Sequence, residues 1–204
     1  FRRVLSRSAV AVQATLTLVE PQSSGIGGGA FLLYWDASEQ RLHAYDGRET
    51  APSEASPALF LDEEGAPLNF IEAVVGGRAV GAPGVLRMLA GAHEAHGLRP
   101  WRELFEPATK LAENGFEVTP RLHRLLHLDP SLRTMRAARA LFYTESGEAL
   151  AVGTRLRNPE LAATLRAVAA DVDAFYTGPI ARDIVNAVRN AKGPSTTLAS
   201  INAG

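Results

Sequence analysis

Hydrophobic positions along this chain follow two periods, and the change between them organises the molecule. From Ala9 to Leu18 the residues are small and apolar on nearly every side, broken by Gln13, Thr15 and Thr17. That pattern predicts a helix buried between layers, ended by Pro21. Ala30 to Trp35 (AFLLYW) is a continuous apolar and aromatic run of strand length. DASEQ is a polar turn, and RLHAYD alternates apolar and polar positions like a half-buried strand. Together they predict an antiparallel hairpin, followed by a loop marked by Pro52 and Pro57.

From Gly76 onward the period becomes helical, and prolines mark the starts. Pro83 precedes a helix carrying Leu86, Leu89, Ala90 and His93, closed by Gly97. Pro100 opens a short helix with Trp101, Leu104 and Phe105. Pro107 restarts it with Ala108, Leu111 and Ala112, up to Asn114 and Gly115. Thr119-Pro120 and Asn158-Pro159 read as N-caps followed by first helical positions. The first introduces Leu122, Leu125 and Leu126; the second introduces Leu161, Leu165 and Val168. Gly178-Pro179 opens a last helix with Ile180, Ile184, Val185 and Val188. The sum is an α+β chain with an early hairpin and many short helices.

Composition narrows the chemistry. Lys+Arg total 21 and Asp+Glu 22 over 204 residues, a net charge of −1 without a long basic tract. That argues against a nucleic-acid surface. The absence of cysteine excludes disulfides, cysteine nucleophiles and thiolate metal sites. No apolar stretch reaches the roughly 20 residues of a membrane span. The basic-then-apolar opening resembles a signal peptide faintly, but its polar interruptions favour a buried helix. His43, His93, His96, His123 and His127 show no metal-binding spacing. His123 and His127 lie four apart on a predicted helix and read as solvated. Asp62, Glu63 and Glu64 form a charged turn, and Glu145 and Glu148 flank Gly147 in another. Trp35 and Trp101 read as core or subunit-contact residues.

Gly25, Gly27, Gly28 and Gly29 crowd into the stretch before AFLLYW. Gly25, Gly27 and Ala30 fit the spacing of a dinucleotide fingerprint, with Asp46 downstream. The physics of that motif needs a helix beginning inside the glycines to hold the pyrophosphate. Here the glycines feed a strand, so the nucleotide reading is rejected. A close-packed bend and a pocket lined by backbone amides both remain open.

Five blocks in order carry a resemblance: VEPQSSGIGGGAFLLYWD, DGRETAP, VGAPGVLRMLAGAHEAHG, PATKLAENGFEVTPRL and NPELAATLRAVAADVDAFYTGPIARDIVNAV. Spanning most of Val19 to Val188, they resemble the large-subunit region of the gamma-glutamyltranspeptidase family. The resemblance implies part of a four-layer αββα N-terminal nucleophile hydrolase fold, with residues 1–204 as a single incomplete domain. It implies transfer or hydrolysis of the gamma-glutamyl group of glutathione and related amides through a threonine acyl-enzyme. The alternatives are a glutaryl or cephalosporin acylase of the same family, or a non-catalytic remnant. The implied partners are a small subunit bearing the N-terminal threonine, the gamma-glutamyl substrate, and an amino-acid or peptide acceptor. No metal or organic cofactor is implied. Bacterial relatives are often exported, which leans toward a periplasmic or extracellular setting.

In the family the arginine of the RE-x-AP block pairs with the α-carboxylate of the glutamyl group. That position is Arg48, in a loop just after a predicted strand, and a guanidinium can hold a carboxylate with two bonds. The residues alone favour a surface arginine paired with Glu49 or Asp46; the resemblance favours the carboxylate clamp. Three departures stand against the family pattern. LSRSAVAV lacks the glycine-containing block that usually precedes it. Asp171 stands where glycine is common. The catalytic half does not follow: the tail PSTTLASINAG offers Thr196 and Thr197 without the usual histidine after them. Either segments are absent near residues 6–9 and after 192, or the tail merely resembles a processing site. The nucleophile is therefore left unassigned, with Thr196 the candidate within the chain. Without its other half, the sheet is expected to show an unpaired edge and an uncovered apolar face.

Overall fold

The computed structural model describes residues 5–191. Helix α1 (Leu5–Val19) leads through the glycine bend into strand β1 (Ala30–Asp36), which pairs antiparallel with β2 (Arg41–Gly47), Ala30 opposite Gly47 and Asp36 opposite Arg41. The Asp36 carboxylate accepts from the amides of Ser38 and Glu39, which closes the turn. A short helix α2 (Phe70–Val74) lies after the loop marked by Pro52 and Pro57 and before Gly76, where the pattern assigns no element. It spans five residues, too few for an apolar period to show. Its cap is nevertheless regular, the Asn69 side chain accepting from the Glu72 amide at 3.0 Å.

Helices α3 (Val85–His96) and α4 (Glu106–Asn114) follow, and the short helix expected after Pro100 is a 3-10 helix over Trp101–Phe105. Pro107 sits in the first turn of α4, where an amide would have no helical partner to lose. Strand β3 (Phe116–Glu117) precedes α5 (Pro120–Leu128), then α6 (Arg136–Phe142). Strand β4 (Arg155–Leu156) pairs with β3. Neither β3, β4 nor α6 is legible in the pattern. The strands are two residues each, and no residue of α6 is fully buried, although Leu141 and Phe142 pack in part on the core. Helices α7 (Pro159–Ala170) and α8 (Gly178–Asn190) complete the described chain. The molecule is α+β.

Caps explain the helix starts. Thr119 accepts from the Leu122 amide at 3.1 Å and Asn158 from the Leu161 amide at 2.9 Å. Helix α7 carries Ala162, Leu165 and Val168, all fully buried. In the whole protein, Asn158→Ala should therefore cost about 1 kcal/mol in denaturant unfolding. Asn158→Asp, which keeps the acceptor, should recover most of it.

Two adjoining cores form. One joins Val10 and Ala14 of α1, Leu86 and Leu89 of α3, Phe105, Ala108 and the buried face of α7. The other joins Leu18, Ala112, Phe116, Leu122, Leu126, Tyr143 and Leu156. Helix α1 thus buries one stripe, Val10, Ala14 and Leu18, rather than all sides; Val12 is 51% exposed. The hairpin divides its residues the same way. Leu32 and Tyr45 pack on the core, while Phe31, Leu33, Trp35 and Leu42 face solvent. The uncovered apolar face is present, and Trp35 lies on it. Trp101 packs against the core, its indole N–H bonded to the Val168 carbonyl at 3.0 Å.

Asp171 needs no glycine-like conformation. Its backbone is extended (φ −155°, ψ 119°) and its carboxylate caps the following 3-10 turn through the Asp173 amide. His123 is corrected from a solvated residue to a half-buried one, because its Nδ1 lies 2.8 Å from the Leu150 carbonyl. The Asp62 turn and the Glu145–Glu148 turn are as expected, Asp62 accepting from the Glu64 and Ala66 amides and Gly147 taking a positive φ.

Candidate functional site

The segment Arg48–Glu49 leaves β2 and is pressed between glycines from two distant parts of the chain. A Cβ on Gly29 would come within 2.5 Å of the Glu49 carboxylate and 2.8 Å of the Arg48 Cα. A Cβ on Gly81 would come within 2.8 Å of the Glu49 Cβ. A Cβ on Gly84 would sit 2.5 Å from the Gly47 carbonyl oxygen and 2.6 Å from that of Arg48. Contacts that close exclude any side chain. Hydrogen bonds fix the same geometry. Thr50 and Ala82 exchange backbone bonds, and the Gly28 carbonyl accepts from the amides of Gly84 and Val85, both at 3.1 Å. Gln13 of α1 reaches across to Ser24 and the Gly25 carbonyl.

The glycine bend is therefore a packing device. The amides at the start of α3 are occupied by the Gly28 carbonyl, and the glycines lead into β1 with no helix between. Gly27 additionally lines a cavity of about 650 Å³, together with Arg48, Glu49, Thr50, Ser56 and Arg78. The close-packed bend is the reading that these contacts support.

Arg48 stands at this cavity with its side chain 57% exposed, and its Nη1 lies 3.1 Å from Glu49 Oε2. That oxygen has no aligned hydrogen bond among the described residues. The arginine end is open to solvent, which weakens the pair, whereas the Glu49 side chain is 29% exposed with its Oε2 buried. The guanidinium is thus placed by its backbone and held only lightly by Glu49, so a carboxylate ligand can compete for it.

Arg78 is a candidate that the sequence pattern does not single out. It lies in a 3-10 turn over Gly77–Ala79 and lines the same cavity, and its Nη1 is buried without a hydrogen-bond partner among the described residues. Nothing local distinguishes this arginine from a surface one. The turn that carries it packs against α8, where Gly77 leaves no room for a side chain against the Val188 carbonyl. A second cavity of about 330 Å³ lies beyond Thr50 and is largely apolar, lined by Pro83, Phe175, Tyr176, Ile184 and Val188 among others. Burial pushes the Tyr176 phenol above its ordinary value, although the Arg87 amide and charge pull it down.

Folding brings together His43 and His96, with ring centroids 4.8 Å apart, and Tyr45 bonds His96 Nε2 at 2.6 Å. Among the described residues no group of three or more His, Asp or Glu is placed to hold a metal. Among the described residues no helix is long and apolar enough to cross a membrane. Thr196 lies outside the described residues.

Comparison with known proteins covers nearly the whole chain. Residues 7–198 match the family model described as gamma-glutamyltranspeptidase. The glutathione hydrolase proenzyme of Bacillus subtilis (strain 168) is 37% identical over 190 residues, covering 93% of this chain and 32% of its own length. The chain thus spans about a third of the length of the curated relatives it matches. The crystal structure of Helicobacter pylori gamma-glutamyltranspeptidase superimposes with a TM-score of 0.84 at 28% identity, covering 89% of this chain and 52% of that one. Cephalosporin acylase from Bacillus halodurans is more distant, with a TM-score of 0.68 at 27% identity over 87% of this chain and 34% of that one. The family match and the likeness to solved structures agree: this chain belongs to the gamma-glutamyltranspeptidase family, and its fold is part of the N-terminal nucleophile hydrolase architecture.

Proposed function

We propose that this chain is the large-subunit part of a gamma-glutamyltransferase or glutathione hydrolase, and that Arg48 holds the α-carboxylate of the gamma-glutamyl donor. The observation that carries this reading is the position of Arg48, on a loop wedged between Gly29, Gly81 and Gly84 and lining a cavity of about 650 Å³. A cavity of that size suits a small peptide. A loop held by backbone bonds and close glycine contacts sets a guanidinium in place while leaving its donors free for a ligand.

In this reading a small subunit supplies an N-terminal threonine. Its hydroxyl oxygen bonds to the γ-carbonyl carbon while its α-amine takes the proton. The C–N bond then breaks, and the proton goes to the leaving amine. Water or the amine of an acceptor attacks the ester, releases glutamate or the new amide, and returns the threonine. Arg48 acts at the far end of the donor. It fixes the acyl group so that the carbonyl meets the nucleophile, which is catalysis by positioning. All of these groups are organic side chains and the backbone, and no cofactor is part of the reading.

The test uses the full-length protein. Two processed chains on a gel, with release of anilide from a gamma-glutamyl anilide, are expected. A single unprocessed chain with no release would leave the non-catalytic alternative standing. The acylase alternative draws on the weaker likeness to cephalosporin acylase. A glutaryl amide keeps a carboxylate at the same distance from the scissile amide and lacks the α-amine, so Arg48 can hold either substrate. The gamma-glutamyl reading expects gamma-glutamyl amides to be cleaved in preference to glutaryl amides, and the reverse order would favour the acylase.

A further inference from the structure

We infer that Arg78 is a specificity-determining residue, which takes a second carboxylate of the donor: the terminal carboxylate of the peptide that leaves. The inference rests on the reading of Arg48 above and extends it to the other end of the substrate.

Three observations carry it. First, Arg78 is set in place by its surroundings. Gly76 turns the chain with a φ of 115°, and Gly77 packs against the α8 backbone too closely for a side chain. Second, its Nη1 is buried yet has no hydrogen-bond partner, and no carboxylate lies within ion-pair distance among the described residues. A charged donor withdrawn from water without a partner is costly and uncommon in native structures. Third, Arg78 lines the same cavity as Arg48, where Glu49 is the single carboxylate among the described lining residues and already lies against Arg48. The cavity therefore keeps one uncompensated cation after Arg48 and Glu49 are paired.

The chemistry of the ligand follows from the pair of arginines. A gamma-glutamyl peptide carries one carboxylate on its glutamyl carbon and another at its C-terminus. Two guanidinium groups lining one cavity match such a dicarboxylate, one at each end. A gamma-glutamyl anilide or amide supplies just the first carboxylate. It would leave Arg78 unpartnered, a site feature that discriminates strongly against ligands lacking the matching group.

The experiment measures kcat/KM of the processed full-length enzyme for a gamma-glutamyl dipeptide with a free C-terminal carboxylate and for the same dipeptide as its C-terminal amide. Arg78→Gln should lower the acid-to-amide ratio at least tenfold, with KM for the acid moving more than kcat. Arg78→Lys keeps the charge without the fork and should lower it less. If Arg78→Gln fails to mature into two chains, the lysine variant reads the same ratio. An unchanged ratio overturns the inference, including the case where both substrates lose equally, because that places Arg78 against a carboxylate of the protein itself. Failure of the Arg48 reading shows separately. It appears as unaltered anilide kinetics in Arg48→Ala, whereas the acid-to-amide ratio reports on Arg78.

Discussion

Arg48→Ala in the processed full-length enzyme should lower kcat/KM for a gamma-glutamyl anilide about 100-fold, equivalent to about 2.7 kcal/mol of lost interaction. A charge-assisted contact made by a planar fork to a carboxylate is worth that much when water is excluded around it. Stability should fall by no more than about 1–2 kcal/mol, because the arginine is 57% exposed while the buried Glu49 Oε2 loses its ion partner. The contrast between lost binding and intact folding distinguishes a ligand role from a structural one. Arg48→Lys should fall between, since an ammonium keeps the charge and loses the second bond. Kinetics indistinguishable from the parent in both variants would remove Arg48 from the site.

The second large effect is on the scaffold. Gly84→Ala should destabilise the protein by about 2–3 kcal/mol and raise KM for the donor, because the added carbon meets the carbonyl oxygens of Gly47 and Arg48 at 2.5 and 2.6 Å. Its backbone does not resist alanine: φ is −109°. The cost is purely steric, and it falls on the loop that carries Arg48. Gly91, in the middle of the same helix α3, is the matched control. Nothing lies within 4 Å of a Cβ there, so Gly91→Ala should stabilise by about 0.5–1 kcal/mol through helix propensity. Denaturant unfolding of both variants checks the pair. Two glycines on one helix thus carry opposite expected signs, and equal effects would refute the packing account.

Part of the candidate site is legible in the amino-acid sequence. Arg48 follows a strand whose alternating pattern is readable, and its block points to carboxylate recognition by resemblance. The rejection of a nucleotide also follows from local order, since an aromatic strand after the glycines supplies no helix end. Arg78 is not legible in the same way. Its setting between Gly77 and Ala79 carries no period and no cap. What distinguishes it is a missing hydrogen bond, and that can be known only when every possible partner has a position. His43 and His96 are similar, since spacing along the chain gives no reason to join residues from a strand and a helix end.

The sequence by itself determined where the longer helices begin, because prolines, Thr119 and Asn158 act on the amides within a turn of themselves. It also determined the hairpin, through a polar turn between two apolar runs. Tertiary structure decided which glycines face which loop, how much of α1 is buried, and which nitrogens are left without partners. Those outcomes depend on contacts between segments far apart in the chain. Local propensity acts over a few residues, whereas packing is fixed by the shapes of all the surfaces that meet.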